Sequence, residues 1–165
     1  MENNSRLLKV QNLMLDYIAQ QEGSIPDRDE SLDWERIHMA SSAQLAWQMA
    51  LERGADPELT ACAAAIHDIG RILTGRKEGH AEAGYEPARK LLTDSGLFTE
   101  EEVEIMALAT KNHSSKDAPG TLIEEIIKDA DVVDCCQHGY SSYYKPEVMK
   151  RYYDWEERQK GKATE

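Results

Sequence analysis

The stretch "AAAIHDIGRIL", residues 63–73, is apolar and rich in alanine except where His67 and Asp68 stand side by side. A continuous apolar run of this length is consistent with a buried helix. Burying an unpaired carboxylate is costly, so Asp68 needs a charged partner, a metal ion or a solvated cleft. The rest of the chain must supply one of the three.

Helical patterns on both sides of this stretch predict an all-α fold, a compact bundle of about seven helices in a single domain over residues 1–165. Asp56 before Pro57, and Thr99 with Glu102, are typical helix starts. Pro87 is expected to kink or restart the helix that contains it. The expected helices run from Leu7 to near Gly23, Leu32 to Arg53, Asp56 through the His-Asp doublet, His80 to before Gly96, Thr99 to His113, Thr121 to Cys136, and Pro146 through Trp155.

The charge of the chain restricts its partners. The formal net charge is −12, which opposes binding to nucleic-acid polymers and to anionic membranes. A small phosphorylated substrate would need a concentrated local positive charge. No stretch is apolar enough for a membrane span, and the amino terminus does not have the pattern of a secretory signal. The three cysteines (Cys62, Cys135, Cys136) form no CxxC pair, which favours a reduced, cytoplasmic protein.

Four of the five histidines fall on four successive predicted helices: His38, His67, His80 and His113. One buried histidine is more often a core residue than a ligand, but a helix bundle can direct one side chain from each helix to a shared centre. Imidazole and carboxylate ligands suit Fe, Mn, Co, Ni or Zn. The fifth histidine, His138, is expected on the surface or in a loop.

The segment "IIKDADVVD", residues 126–134, places carboxylates on another apolar helix. Asp129 and Asp131 point to different faces, so at most one should reach a shared centre. Asp131 lies deepest in the apolar run and is the preferred ligand. Asp129 and Asp134 are interpreted as solvated or salt-bridged.

His38, "HDIG" at 67–70 and "DAD" ending at Asp131 together resemble the HD superfamily of metal-dependent phosphohydrolases, over roughly residues 30–140. The resemblance implies one or two divalent transition metals. It implies that a first metal would be held by His38, His67, Asp68 and Asp131, and a second by His80 and His113 with Asp68 bridging.

The subset of this superfamily with two metals includes hydrolases of symmetrical diadenosine tetraphosphate and signalling phosphodiesterases with a GYP motif. This chain has no GYP motif, and Asn112 stands where the phosphodiesterases carry a further histidine. The connection from His67 to His80 is short for the tetraphosphate hydrolases. The resemblance therefore leaves the substrate open.

The expected activity is hydrolysis of a phosphate ester or anhydride in a small molecule, with a nucleotide favoured and hydroxide on the metal attacking phosphorus. Asp68 would fix the metals, and Arg71 or Lys128 would hold phosphate, although salt bridges to neighbouring carboxylates suit both residues equally. Two alternatives remain open: a di-iron oxygenase of the HD type and a non-catalytic metal-binding sensor. An aromatic cluster near the carboxyl end would either flank the pocket or pack the last helices: Tyr140, Tyr143, Tyr144, Tyr152, Tyr153 and Trp155.

Overall fold

A computed structural model describes residues 5–162 and confirms the all-α prediction, since these residues contain helices and no strand. The eight α-helices are α1 (Arg6–Gln20), α2 (Leu32–Arg53), α3 (Pro57–Ile66), α4 (Ile69–Thr74), α5 (His80–Ser95), α6 (Glu100–Asn112), α7 (Leu122–Gln137) and α8 (Pro146–Lys162). A short 3₁₀ helix, Ser141–Tyr143, precedes α8. The expected third helix is in fact two, α3 and α4, and the His-Asp doublet forms the junction between them.

Side-chain caps set the helix starts. Asp56 accepts a hydrogen bond from Leu59 N at the start of α3, while Thr99 and Thr121 form capping boxes that open α6 and α7. Gly54 ends α2 in the left-handed conformation at φ 75°. No new helix begins at Pro87, because α5 runs continuously past it to Ser95.

The core lies around α3, in which every residue from Leu59 onward is buried. Helix α2 packs against α3 and α7, α5 packs against α4 and α6, and α1 contacts α3. Met14, Met49, Met106 and Ile127 fill the space between these helices. Helices α2, α5, α6 and α7 therefore all reach the junction that carries the doublet.

Gly70 allows α4 and α5 to approach closely. A Cβ atom at this position would lie 2.0 Å from the carbonyl oxygen of His80 and 2.6 Å from the backbone nitrogen of Gly84. Both obstacles are backbone atoms, so no side-chain rotation could relieve the overlap. The glycine in "HDIG" thus brings the start of α5, with His80, beside the doublet.

No helix within residues 5–162 is long and apolar enough to cross a membrane.

Candidate metal centre

The structure brings the six predicted ligand residues together. They come from five parts of the bundle: His38 from α2, His67 and Asp68 from the α3–α4 junction, His80 from the first turn of α5, His113 from the end of α6, and Asp131 from α7. All are buried except His80, which is partly exposed. The junction makes this convergence possible because two adjacent residues there leave the helix and turn toward the other helices.

The donor atoms form two clusters that share Asp68. In the first cluster, His38 Nε2 lies 3.1 Å from His67 Nε2, 3.2 Å from Asp131 Oδ1 and 3.4 Å from Asp68 Oδ2. In the second cluster, His80 Nε2 lies 2.9 Å from His113 Nε2 and 3.1 Å from Asp68 Oδ1. The Asp68 carboxylate therefore directs one oxygen to each cluster.

The four rings are held in one tautomer by their other nitrogen. His67, His80 and His113 place Nδ1 at 2.6, 2.5 and 2.6 Å from the carbonyl oxygens of Ala64, Lys77 and Thr110. His38 places Nδ1 at 2.5 Å from Asp134 Oδ2. These oxygens only accept, so each Nδ1 carries the proton and each Nε2 turns its lone pair to the centre. Metal-ligating histidines are oriented in this way.

Two further observations fit divalent cations at these positions. Pairs of Nε2 atoms face each other at hydrogen-bond distance in both clusters, which is repulsive unless a proton or a metal cation lies between them. Asp68 Oδ1 is buried and receives no hydrogen bond, a rare condition for a carboxylate oxygen. The donors present therefore fit two metal ions, the first at His38, His67, Asp68 and Asp131 and the second at Asp68, His80 and His113.

The electrostatics of the centre also favour the binding of a cation. Burial opposes ionisation of Asp68, but Arg71 and His67 hold its pKa well below the usual range. Burial opposes ionisation of Asp131 too, and Lys116 and His38 hold its pKa well below the usual range. In the absence of metal, burial lowers the pKa of His67 but Asp68 and Asp131 raise it to about 10, whereas burial lowers that of His113 to about 4. The carboxylates remain charged and draw a cation to the first cluster.

Arg71 lies at the edge of the centre, between two buried carboxylates. Its Nε and Nη2 donate to Glu35 at 2.7 and 3.1 Å, and Nη2 also donates to Asp68 Oδ2 at 2.5 Å. Glu35 is 2% exposed. Arg71 thus forms the salt bridges that the sequence predicted as the alternative to phosphate binding. Its guanidinium also lines the cavity beside the centre.

The structure does not bring Lys128 to this centre. Its flexible stem carries Nζ away from Asp131 to the carbonyl of Ala118, at 2.8 Å, and to Glu125 Oε1, at 3.1 Å. Lys116 takes the position beside Asp131 instead, donating to Asp131 Oδ2 and to the carbonyl of His113. Sequence reasoning missed Lys116 because it lies in a loop with no periodic pattern.

For Asp134 the structure excludes the solvated alternative and retains the paired one. This residue is fully buried and holds the His38 ring, so it is not on the surface. Asp129 agrees with the salt-bridge interpretation, because Arg53 and Arg151 each donate to it at 2.6 Å. His138 is exposed at the end of α7, as expected.

A cavity of about 420 Å³ opens beside the metal centre. Tyr140, Tyr143 and Tyr144 line it together with Trp34, whereas Tyr152 and Trp155 pack against the core and Tyr153 is exposed. The ring of Tyr140 lies 4.6 Å from Trp34 and 5.3 Å from Tyr143, centroid to centroid. The aromatic cluster is therefore divided between the cavity wall and the core.

A family model for the HD domain matches residues 36–135, more than half of the chain. The chain belongs to the HD-domain family. The matched range includes all six candidate ligand residues.

Known proteins agree with this membership. The chain is 36% identical to Ribonuclease Y of Cutibacterium acnes over 62% of its own length and 18% of that protein, and 30% identical to Ribonuclease Y of Lactobacillus acidophilus over 72% and 20%. The chain thus spans about a fifth of the length of these relatives. A crystal structure titled as a "predicted HD superfamily hydrolase", from an uncultured Thermotogales bacterium, is 25% identical with a TM-score of 0.64 and covers 99% of this chain and 95% of that one.

This HD-domain chain therefore has the general character of a metal-dependent phosphohydrolase, with His/Asp clusters that could hold the metal. The family does not specify the substrate or the metal.

Proposed function

We propose that this HD-domain protein hydrolyses a phosphate ester or anhydride in a small molecule, with a nucleotide as the favoured substrate. The observation that carries the proposal is the position of Asp68, whose two oxygens face two clusters of histidine nitrogens at the wall of an open cavity. Two cations about 3.5–4 Å apart are a recurring arrangement in phosphatases and nucleases.

Divalent cations in these clusters would lower the pKa of bound water toward about 7 and polarise phosphoryl oxygens. The chain's own residues do the positioning. Asp68 sets the spacing of the two clusters, and Glu35 with Arg71 fixes Asp68 Oδ2. Arg71 Nη1 makes no hydrogen bond with any described residue, so it is available to donate to a phosphate oxygen at the cavity wall.

The cavity wall supports a nucleotide as the favoured substrate. Tyr140, Tyr143 and Tyr144 give the wall aromatic character, and contacts between bases and aromatic side chains are tolerant of base identity. Lys77 Nζ lies 3.7 Å from the centroid of the Tyr143 ring at the rim and pairs with Glu30 Oε1 at 2.7 Å. The relatives' name, Ribonuclease Y, points to phosphodiester chemistry in those proteins. The net charge of −12 favours a small substrate over a polymer here.

A phosphate-release screen tests the proposal. The protein is loaded in turn with Mn²⁺, Fe²⁺, Co²⁺, Ni²⁺ and Zn²⁺ and offered nucleoside mono-, di- and triphosphates, dinucleoside polyphosphates and a short oligoribonucleotide. We expect turnover of at least one small nucleotide, loss of it in Asp68→Asn, and unchanged rates in Lys150→Ala, an exposed α8 residue paired with Asp154.

Three outcomes would overturn the proposal. Metal-loaded protein that turns over no compound would indicate a sensor module. Cleavage of the oligoribonucleotide alone would replace the small substrate with a polymer. Oxygen consumption by the iron-loaded protein without phosphate release would favour the oxygenase alternative.

A further inference from the structure

Cys135 is a buried thiol beside the first cluster that the six-ligand assignment does not use. It follows Asp131 by four residues on α7, so the two side chains share a helix face. Its thiol donates a hydrogen bond from Sγ to Asp131 Oδ1 at 3.5 Å, the contact that a shared cation would replace. That oxygen is the one 3.2 Å from His38 Nε2, whereas Lys116 holds the other oxygen of Asp131.

The distances suit a shared cation. Protein ligands sit about 2.0–2.3 Å from Zn²⁺, with sulfur at the long end, so two donors on one ion lie about 3–4 Å apart. The two measured distances, 3.2 and 3.5 Å, fall within that range. One donor atom from each of His38, Asp131 and Cys135 lies within 4.8 Å of the others, and all three residues are buried.

The second cluster has a different donor set. It consists of Asp68, His80 and His113, and no cysteine belongs to it among residues 5–162. Sulfur ligands favour Zn²⁺ and other thiophilic ions, while carboxylate and imidazole donors also suit Mn²⁺ and Fe²⁺. The two clusters therefore differ in the cation that each would prefer.

We propose that Cys135 is a sulfur ligand for a thiophilic divalent cation in the first cluster, which makes the two cation positions chemically unequal. The proposal rests on the metal centre of the proposed function and adds a ligand to it. When the cation binds, the S–H bond breaks, a sulfur–metal bond forms and the proton passes to solvent. No oxidant or reductant takes part.

Titration of the metal-free protein with Cd²⁺, followed by ultraviolet difference absorption and equilibrium dialysis, tests this assignment. A thiolate bound to Cd²⁺ gives a sulfur-to-metal charge-transfer band that oxygen and nitrogen ligands do not give. We expect the band in the wild type, saturating with the first bound Cd²⁺, and its loss in Cys135→Ser. Affinity for Cd²⁺ should fall about tenfold in Cys135→Ser, and affinity for Mn²⁺ should change less than about threefold.

The other cysteines supply matched controls. Cys136 is adjacent, but its Sγ contacts Met149 Sδ at 3.7 Å, and Cys62 is fully buried in the core. Cys136→Ser and Cys62→Ser should both keep the band. Bound Cd²⁺ without a band in the wild type, or a band lost in Cys136→Ser instead of Cys135→Ser, would overturn the inference and leave the proposed function standing. Absence of any bound metal would overturn both.

Discussion

Asp134 illustrates at the residue scale how a buried carboxylate prepares a metal ligand. It is fully buried, and it accepts the Nδ1 proton of His38 from a position 96 residues further along the chain. The bond fixes both the rotation of the ring and the tautomer that leaves Nε2 free. A carboxylate in this position also raises the basicity of the ligating nitrogen.

Replacing Asp134 with asparagine tests this role. The amide keeps the shape of the side chain but removes its charge, so we expect affinity for Zn²⁺ or Mn²⁺ to fall about 10- to 100-fold while the helical content is retained. Asp154→Asn, on the exposed face of α8, should leave the affinity unchanged. Competition with a chromophoric chelator measures both values, and equal affinity in the two variants would remove Asp134 from the centre.

Residue types, their order along the chain and the family resemblance predicted six ligands that the structure brings together, but not the residues that support them. The His-Asp doublet and Asp131 interrupt apolar helices, which is visible in the sequence, whereas His80 and His113 were assigned through the resemblance. Asp134 and Glu35 gain their roles only from partners 96 and 36 residues away. Lys116 was missed because it lies in a loop without a periodic pattern. Lys128 was preferred because helical spacing does not show the direction that a long, flexible side chain takes.

At the scale of helices, the contact between α4 and α5 depends on the missing side chain of Gly70. Gly70→Ala would drive a methyl group into the backbone of His80 and Gly84, so the two helices would have to separate. We expect a loss of about 3 kcal/mol in the free energy of unfolding, together with weaker metal binding at the second cluster. Urea denaturation measures the first effect.

Gly161→Ala is the matched control for this substitution. A Cβ at Gly161 meets nothing within 4 Å, and the residue lies within α8. Alanine there should change the unfolding free energy by less than about 1 kcal/mol, in the stabilising direction. Equal stability of the two variants would mean that α4 and α5 do not require the close approach.

Helix α1 is tied to the bundle by charge as well as by its apolar face. Arg6 donates to Glu58 on α3 at 2.8 Å and to Glu102 on α6 at 2.9 Å. The hydrogen bond from Arg6 and that from the backbone of Thr99 lower the pKa of Glu102 from its ordinary value of 4.5. The carboxylate is partly exposed, so the pairing should stabilise the fold by less than about 1 kcal/mol.

The pH dependence of stability tests this pairing. Because the folded protein holds the pKa of Glu102 below 4.5, the unfolded state takes up the proton first as the pH falls. Wild type should therefore exceed Glu102→Gln in unfolding free energy above pH 4.5, and the difference should vanish as the pH falls through the folded pKa. Glu101→Gln, exposed on the same first turn, is the matched control and should change the unfolding free energy at neutral pH by less than about 0.5 kcal/mol.

At the scale of the molecule, the metal centre joins most of the bundle. Its ligands come from α2, α5, α6, α7 and the α3–α4 junction, so a bound cation links elements that are distant in sequence. Bound cations would also concentrate positive charge in a chain of net charge −12. The unfolded chain cannot assemble these ligands, and metal binding should therefore stabilise the folded state.

Thermal unfolding with and without a chelator measures this coupling. At a free metal concentration about 100 times Kd, binding to the folded state alone adds about 2.7 kcal/mol per site. We expect EDTA to lower Tm by several degrees in the wild type and to have little effect on a variant that has lost the centre. An unchanged Tm in the wild type would mean that cations do not stabilise the folded bundle.

The sequence pattern was sufficient to predict the helix bundle, because helix caps and apolar stripes depend on residues close together in sequence, as at Thr99 and Thr121. It did not reveal that α3 stops at Ile66, because the apolar run continues without a glycine or proline until Gly70. The sequence also did not show that Tyr140, Tyr143 and Tyr144 form the cavity wall, since aromatic residues near a chain end serve packing and binding equally well.

The central claim is that Asp68 holds two cations at once. The direct measurement is the number of divalent metal ions per chain, determined by elemental analysis after dialysis against metal, in the wild type and in Asp68→Asn. We expect two ions per chain in the wild type and, with helical content retained, loss of both in Asp68→Asn. Two ions per chain in Asp68→Asn would contradict it, because the carboxylate proposed to span the clusters would then not be needed for either.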